Sequence, residues 1–143
     1  MIRAITPEDI PALHQMLQAL AAEDQGVITA TEAALLAHGF GAQKLFHALI
    51  DAMGMVIYYP DFSTHRGQPG VYVQDIYVAP AARGTGLATA LLRGVMQHQS
   101  WAARYMTLGV SPQNARANRF YAKLGFRARA YDFLILDDAR ALA

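Results

Sequence analysis

The passage from Val71 to Met96 constrains this chain more than any other. Val71 to Val78 reads as an apolar strand ending at Ala79-Pro80; Arg83-Gly84-Thr85-Gly86 then turns the chain, and Leu87, Leu91, Leu92, Val95 and Met96 mark one face of a helix. A helix with an apolar stripe directly after such a strand must pack back on a sheet, so a layered α/β architecture is expected. The turn has a second property. Orphan N–H groups of the first helical turn, the positive end of the helix dipole and glycines that let a ligand approach the backbone together suit an anion. Arg83 adds a forked, permanently charged side chain. A plain tight turn with a surface arginine accounts for the same residues. Two nucleotide motifs are excluded: Thr89 stands where the dinucleotide fingerprint needs its third small residue, and the lysine followed by serine or threonine of the phosphate loop is absent.

The remaining elements fit around this passage. Thr6-Pro7-Glu8-Asp9 predicts a helix start, and Ile10, Leu13, Leu17 and Leu20 recur at helical spacing behind it. Thr29 with Glu32 predicts a second, shorter helix through Leu35 and Leu36 that ends at Gly39. Lys44 to Ile50 and Met53 to Tyr59 read as a hairpin joined across Asp51-Ala52, and Pro60 to Gly70 as an exposed loop. After the central helix come a strand from Tyr105 to Val110, a helix from Ala115 to Leu124, and two strands within Phe126 to Leu136 around Tyr131-Asp132. The expected order is β-α-α-β-β-β-α-β-α-β-β, a mixed α/β sheet with helices on both faces. No repeat or linker interrupts it, so residues 1–143 are expected to form a single domain.

Composition narrows the function. With 54% hydrophobic and 16% charged residues the chain is no disordered polymer, and a net charge of +1 provides no field for nucleic acid. No apolar run approaches the roughly 20 residues of a membrane span. Cysteine is absent, which removes disulfides, thiolate metal sites and cysteine nucleophiles and suits a cytoplasmic location. The five histidines are scattered without the i, i+4 pair of a helical metal motif, so no metal is expected. Small-molecule partners are the first expectation, with neither nucleic acid nor membrane.

Two segments carry a family resemblance. Arg83-x-x-Gly86-x-Ala88 resembles the acyl-CoA pyrophosphate loop of the GNAT superfamily of N-acetyltransferases, and Asn114-x-x-Ala117-x-x-Phe120-Tyr121-x-Lys123-x-Gly125-Phe126, about thirty residues on, resembles a second segment of that family. The expected element order matches the family fold. Ile28-Thr29, Leu35-Leu36, Gly39-Phe40-Gly41 and Tyr72-Val73-Gln74-Asp75-Ile76-Tyr77-Val78 are similar to the diamine (spermidine/spermine-type) and thialysine acetyltransferase branch.

The resemblance implies acetyl-CoA as co-substrate, a primary amine of a small molecule as acceptor, and a homodimer. An amino-acid or protein N-terminal acceptor, or a non-catalytic acyl-CoA-binding module, are the alternatives. Gly84, Thr85, Gly86, Leu87, Ala88 and Thr89, with Arg83, would take the pyrophosphate; Ile76, Tyr77 and Val78 would pair with the pantetheine arm. Asn114 is either a cofactor contact or a plain N-cap. Tyr121 is the expected general acid, since a phenol with a reference pKa near 10 stays protonated at neutral pH. The branch places a glutamate where this chain has Gln74, and glutamine takes no proton. Gln74 can still orient water or the amine, while Asp75, Glu23 and Asp24 remain as carboxylates that attract a cation. Phe133-Leu134-Ile135-Leu136 is an apolar run that a second copy or an internal sheet could cover.

Overall fold

The computed structural model describes residues 1–143, and its contacts divide the chain into two units, Met1–Gly109 and Val110–Ala143. The first unit is built on one mixed sheet of five strands: β1 (Arg3–Ala4), β2 (His47–Asp51), β3 (Gly54–Ser63), β4 (Gln68–Val78) and β5 (Tyr105–Leu108). Strands β1 to β4 are antiparallel neighbours in chain order, and β5 runs parallel to β4. Helices α1 (Ile10–Glu23) and α2 (Glu32–Phe40) precede the main strands, and α3 (Leu87–His98) is the crossover between β4 and β5.

Alternation along the strands decides which helix each residue meets. Ala48, Ile50, Met55 and Ile57 join Ile10, Leu13, Leu17 and Leu35 in one buried cluster, so α1 and α2 cover that face. Leu49 points the other way, toward Gly94 of α3, and the buried Leu91, Leu92 and Val95 supply the apolar side of that helix. Of the expected stripes, Ile10, Leu13 and Leu17 of α1 and Leu91, Leu92 and Val95 of α3 are buried, while Leu20, Leu87 and Met96 are half-buried. The start of α1 is held as its residues imply: the Thr6 N–H donates to Asp9 at 2.7 Å, and Arg3 grips the same carboxylate at 2.6 and 2.7 Å. Pro7 to Asp9 form a single 3-10 turn ahead of the helix.

Several boundaries differ from expectation. Thr31, not Thr29, caps α2, accepting from the Ala34 N–H at 3.1 Å, because Glu32 is already the first helical residue. The β2–β3 turn falls at Ala52-Met53, with Asp51 opposite Gly54 and the Asp51 carboxylate accepting from the Met53 N–H. Most of the expected loop from Pro60 to Gly70 is strand. The ladder continues through Pro60 opposite Val71 to Ser63 opposite Gln68, leaving only residues 64–67 to turn. Proline lacks a donor but keeps its carbonyl and an extended-compatible φ, and the Pro69 carbonyl accepts from the Arg104 N–H at 2.8 Å.

The second unit contains α4 (Ala115–Lys123) and a short 3-10 turn at Ala139–Leu142. The two strands expected within Phe126 to Leu136 are not formed, and Phe133, Leu134, Ile135 and Leu136 are exposed. A strand exists only through a neighbour that completes its ladder, and an apolar run by itself does not supply one.

Candidate active site

The site begins at an irregularity in the β3–β4 ladder. Ile57 lies opposite Asp75 and Tyr58 opposite Val73, so Gln74 is an extra residue, a bulge in β4. Gln74 is exposed, and its side-chain oxygen accepts from the Tyr59 hydroxyl at a long 3.4 Å. On its other side β4 meets β5 only from Gly70 to Val73. The stretch from Asp75 to Val78 thus pairs with β3 alone, and its second backbone edge has no strand neighbour. Ile76, Tyr77 and Val78, the residues expected to pair with an extended pantetheine arm, lie on that open edge.

Asp75 stands directly after the bulge. By alternation it shares the α1/α2 face with Met55, Ile57 and Tyr77. It is partly buried, and burial raises its carboxyl pKa, because removing water disfavours the charged form. A carboxylate so placed is a stronger base than one in water.

Beyond Val78 the chain forms a short 3-10 turn at Pro80–Ala82 and reaches the two glycines. Gly84 and Gly86 have φ of 77° and 86°, a left-handed backbone that glycine adopts without strain, and Gly86 is the N-cap of α3. A Cβ at either glycine would meet nothing within 4 Å, so the backbone lies bare on that side. No side chain caps the N-terminus of α3. A twelve-residue helix thus opens bare onto two glycines, and the backbone from Gly84 through Thr85, Gly86, Leu87 and Ala88 to Thr89 is the stretch expected to take an anion. The Thr85 hydroxyl donates to the Ala82 carbonyl and braces the turn.

Arg83 is already engaged. Its Nε donates to the Val78 carbonyl at 3.1 Å, and a terminal guanidinium nitrogen pairs with the carboxylate of Glu23, the last residue of α1. Sequence reasoning treated Glu23 as an acceptor-binding candidate and did not foresee this pair. Asp24, the C-cap of α1, is exposed.

Within the second unit, Asn114 caps α4, its Oδ1 accepting from the Ala117 N–H at 3.1 Å. Tyr121 packs edge-on between Phe120 and Phe126, with ring centroids 5.3 and 5.4 Å away. That burial raises its pKa and keeps the phenol protonated.

Sequence reasoning missed Tyr59, Asp61, Tyr72 and Tyr105. Tyr59 and Tyr72 stack with centroids 5.1 Å apart, and the Tyr105 hydroxyl donates to Asp61 at 2.7 Å. An acid alternating with Tyr59 along β3, and a glycine inside a strand pattern at Gly70, are the signals that could have revealed them.

Comparison with known proteins agrees with the family resemblance. The chain is 28% identical over 141 residues to the thialysine N-epsilon-acetyltransferase of Bos taurus, covering 87% of this chain and 82% of that protein. It is 43% identical over 58 residues to an uncharacterized N-acetyltransferase of Mycobacterium tuberculosis, a match that spans 40% of this chain and only 37% of that protein. Its fold is similar to the crystal structure of an aminoglycoside acetyltransferase from an uncultured soil metagenomic sample, with a TM-score of 0.76, 18% identity, and 96% and 98% of the two chains covered. The model of the acetyltransferase (GNAT) family matches residues 12–126, which include both the glycine turn and the Asn114 to Phe126 segment, and the chain therefore belongs to that family.

Proposed function

We propose that the protein is an acetyl-CoA-dependent N-acetyltransferase acting in the cytoplasm on a primary amine of a small molecule, polyamine-like or amino-acid-like. The observation that carries this reading is the open edge of β4 from Gln74 to Val78, which starts beside a partly buried carboxylate and leads into a bare helix N-terminus. The family match across residues 12–126 supports treating the chain as a single domain. The thialysine enzymes among its relatives, named for an amine acceptor, support the choice of substrate.

Acetyl-CoA supplies a thioester whose acetyl group the amine attacks. The backbone of Gly84 to Thr89 binds its pyrophosphate, with Arg83 and Asn114 assigned to the cofactor by the family motifs. Ile76, Tyr77 and Val78 pair with the arm, and the Ile76 N–H is the donor for charge that develops on the carbonyl oxygen. Asp75 accepts the proton of the acceptor ammonium, a task its raised pKa favours and Gln74 cannot perform. Gln74 orients the amine or a water. Glu23 and Asp24 remain acceptor-side carboxylates in this reading, Glu23 only when Arg83 releases it. Tyr121 returns a proton to the departing thiolate, an assignment that rests on the motif around it. A homodimer belongs to the same reading, since Leu134 and Ile135 are 96% and 84% exposed and a second copy would cover them.

Gln74 supports one competing reading, a non-catalytic acyl-CoA-binding module. Assaying free thiol released from acetyl-CoA across a panel of amines separates the two. Turnover with a small amine is the expected result. Saturable acetyl-CoA binding without turnover by any amine would leave the module.

A further inference from the structure

We propose that Asp61 is a specificity-determining residue: with Tyr59, Tyr72 and Tyr105 it forms a subsite for a second cationic group of the acceptor. The proposal rests on the reading of Asp75 as the site of the reacting amine. Asp61 lies opposite Gly70, and Gly70 opposite Tyr105, so the three occupy one row across β3, β4 and β5. The glycine is what allows the row to close. A Cβ on Gly70 would lie 2.4 Å from the Tyr105 ring, and in its absence the ring lies across β4 and its hydroxyl donates to Asp61 at 2.7 Å.

A carboxylate has about four lone-pair sites, so one phenolic donor leaves capacity for an ammonium. Asp61 is only partly buried and remains accessible. The corner already holds a cation, since the Arg66 guanidinium sits 5.5 Å from the centroid of the Tyr105 ring. Ile57, Tyr59 and Asp61 alternate onto one face of β3, the face Asp75 shares from β4. The Tyr59–Tyr72 stack lies between the two carboxylates. The pKa of Tyr59 is raised by burial first, then by Tyr72, Asp61 and Asp75, so its hydroxyl feels both acids. Four residue steps along β3, from Ile57 to Asp61, lead from the row of Asp75 to that of Asp61, roughly 13 Å along the strand. An acceptor that reaches both carries two amines separated by about that distance, with its chain along aromatic rings that attract cations.

The test is a series of α,ω-diamines of increasing length and the amino alcohols of matching length, assayed for kcat/KM with acetyl-CoA. The unmodified protein is expected to favour the diamine over the alcohol once the chain spans the two carboxylates, with the advantage in KM. Asp61→Asn keeps the shape and removes the charge, and should reduce the diamine-to-alcohol ratio about tenfold, the effect of one charge-assisted hydrogen bond. Tyr105→Phe, which frees Asp61 but keeps the ring, should change that ratio less. An unchanged ratio in folded Asp61→Asn overturns the proposal. Should that variant not fold, indifference of the unmodified protein to chain length and second charge overturns it equally. Turnover of all amines alike removes only the role of Asp61, whereas no turnover with any amine removes the transferase reading with it.

Discussion

The two halves of β4 share a backbone and differ in what remains to be satisfied. From Gly70 to Val73 the strand is paired on both sides, with β3 and with β5, so only side chains are left to recognise anything. From Asp75 to Val78 it is paired on one side, and the N–H and C=O groups that face the other edge have no strand partner, although Arg83 engages the Val78 carbonyl. The bulge at Gln74 separates the halves. The first half displays rings and an acid row suited to an amine; the second offers an extended edge suited to a cofactor arm. On the proposed reading, the break in the ladder would set a backbone-recognised ligand beside a side-chain-recognised one.

The comparison is tested hardest at its boundary. Asp75→Asn removes the proposed base and should lower kcat by about 10²–10⁴, the usual worth of general acid–base catalysis, with little change in cofactor affinity. Stability should move in the opposite direction. Burial raises the folded-state pKa of Asp75 above its unfolded value, so the folded protein binds the proton more tightly and loses stability as pH rises from the unfolded toward the folded pKa. Above that window the asparagine variant should melt at a higher temperature than the parent, while at low pH the two should converge. A folded variant with parental kcat would show that Asp75 is structural.

Tyr121→Phe probes the second unit by the same logic. The ring stays between Phe120 and Phe126 and only the hydroxyl is lost, so kcat should fall by about 10²–10⁴ while acetyl-CoA affinity holds. Turnover within about twofold of the parent, under conditions where chemistry limits the rate, would make Tyr121 a packing residue.

A smaller effect is expected from the cofactor half. At Gly86 a Cβ meets no neighbour, but φ is 86°, so Gly86→Val costs about 1–3 kcal/mol of backbone strain and places a branched side chain over the bare helix N-terminus. Acetyl-CoA affinity should fall about tenfold or more, measured by calorimetry, with the amine KM unchanged. Unchanged cofactor affinity in a folded variant would move the pyrophosphate elsewhere.

What was legible in the sequence follows the range of the interactions involved. The glycine turn, the stripe of α3 and the apolar face of α1 are local patterns, and each was read from neighbouring residues. The length of the β3–β4 hairpin was not, because Pro60 and Pro69 read as breakers although the ladder tolerates them. Nor was the Arg83–Glu23 pair, 60 residues apart in the chain, or the Asp61–Tyr105 bond, 44 apart, since no local periodicity announces either. The run Phe133-Leu134-Ile135-Leu136 shows the converse error. Its composition reads as a covered strand, yet covering depends on a partner that composition does not name.

The smallest expected effect belongs to the bulge itself. If Gln74 leaves deprotonation of the amine to Asp75 and to solvent, activity should rise with pH as the acceptor, with a pKa near that of lysine at about 10.4, sheds its own proton. Gln74→Glu places a second carboxylate at the exposed bulge beside Asp75. Each negative charge raises the pKa of the other, and both attract a cation, so the rate near neutrality should rise a few fold and dicationic acceptors should gain most. The same repulsion opposes the change in stability above the pH at which both acids ionise. Rate profiles of both proteins, taken across pH with one diamine and one monoamine, measure the two effects together. Superimposable profiles and an unchanged diamine preference in the folded variant would place Gln74 outside the acceptor site, and the bulge would then divide the strand without taking part in either half.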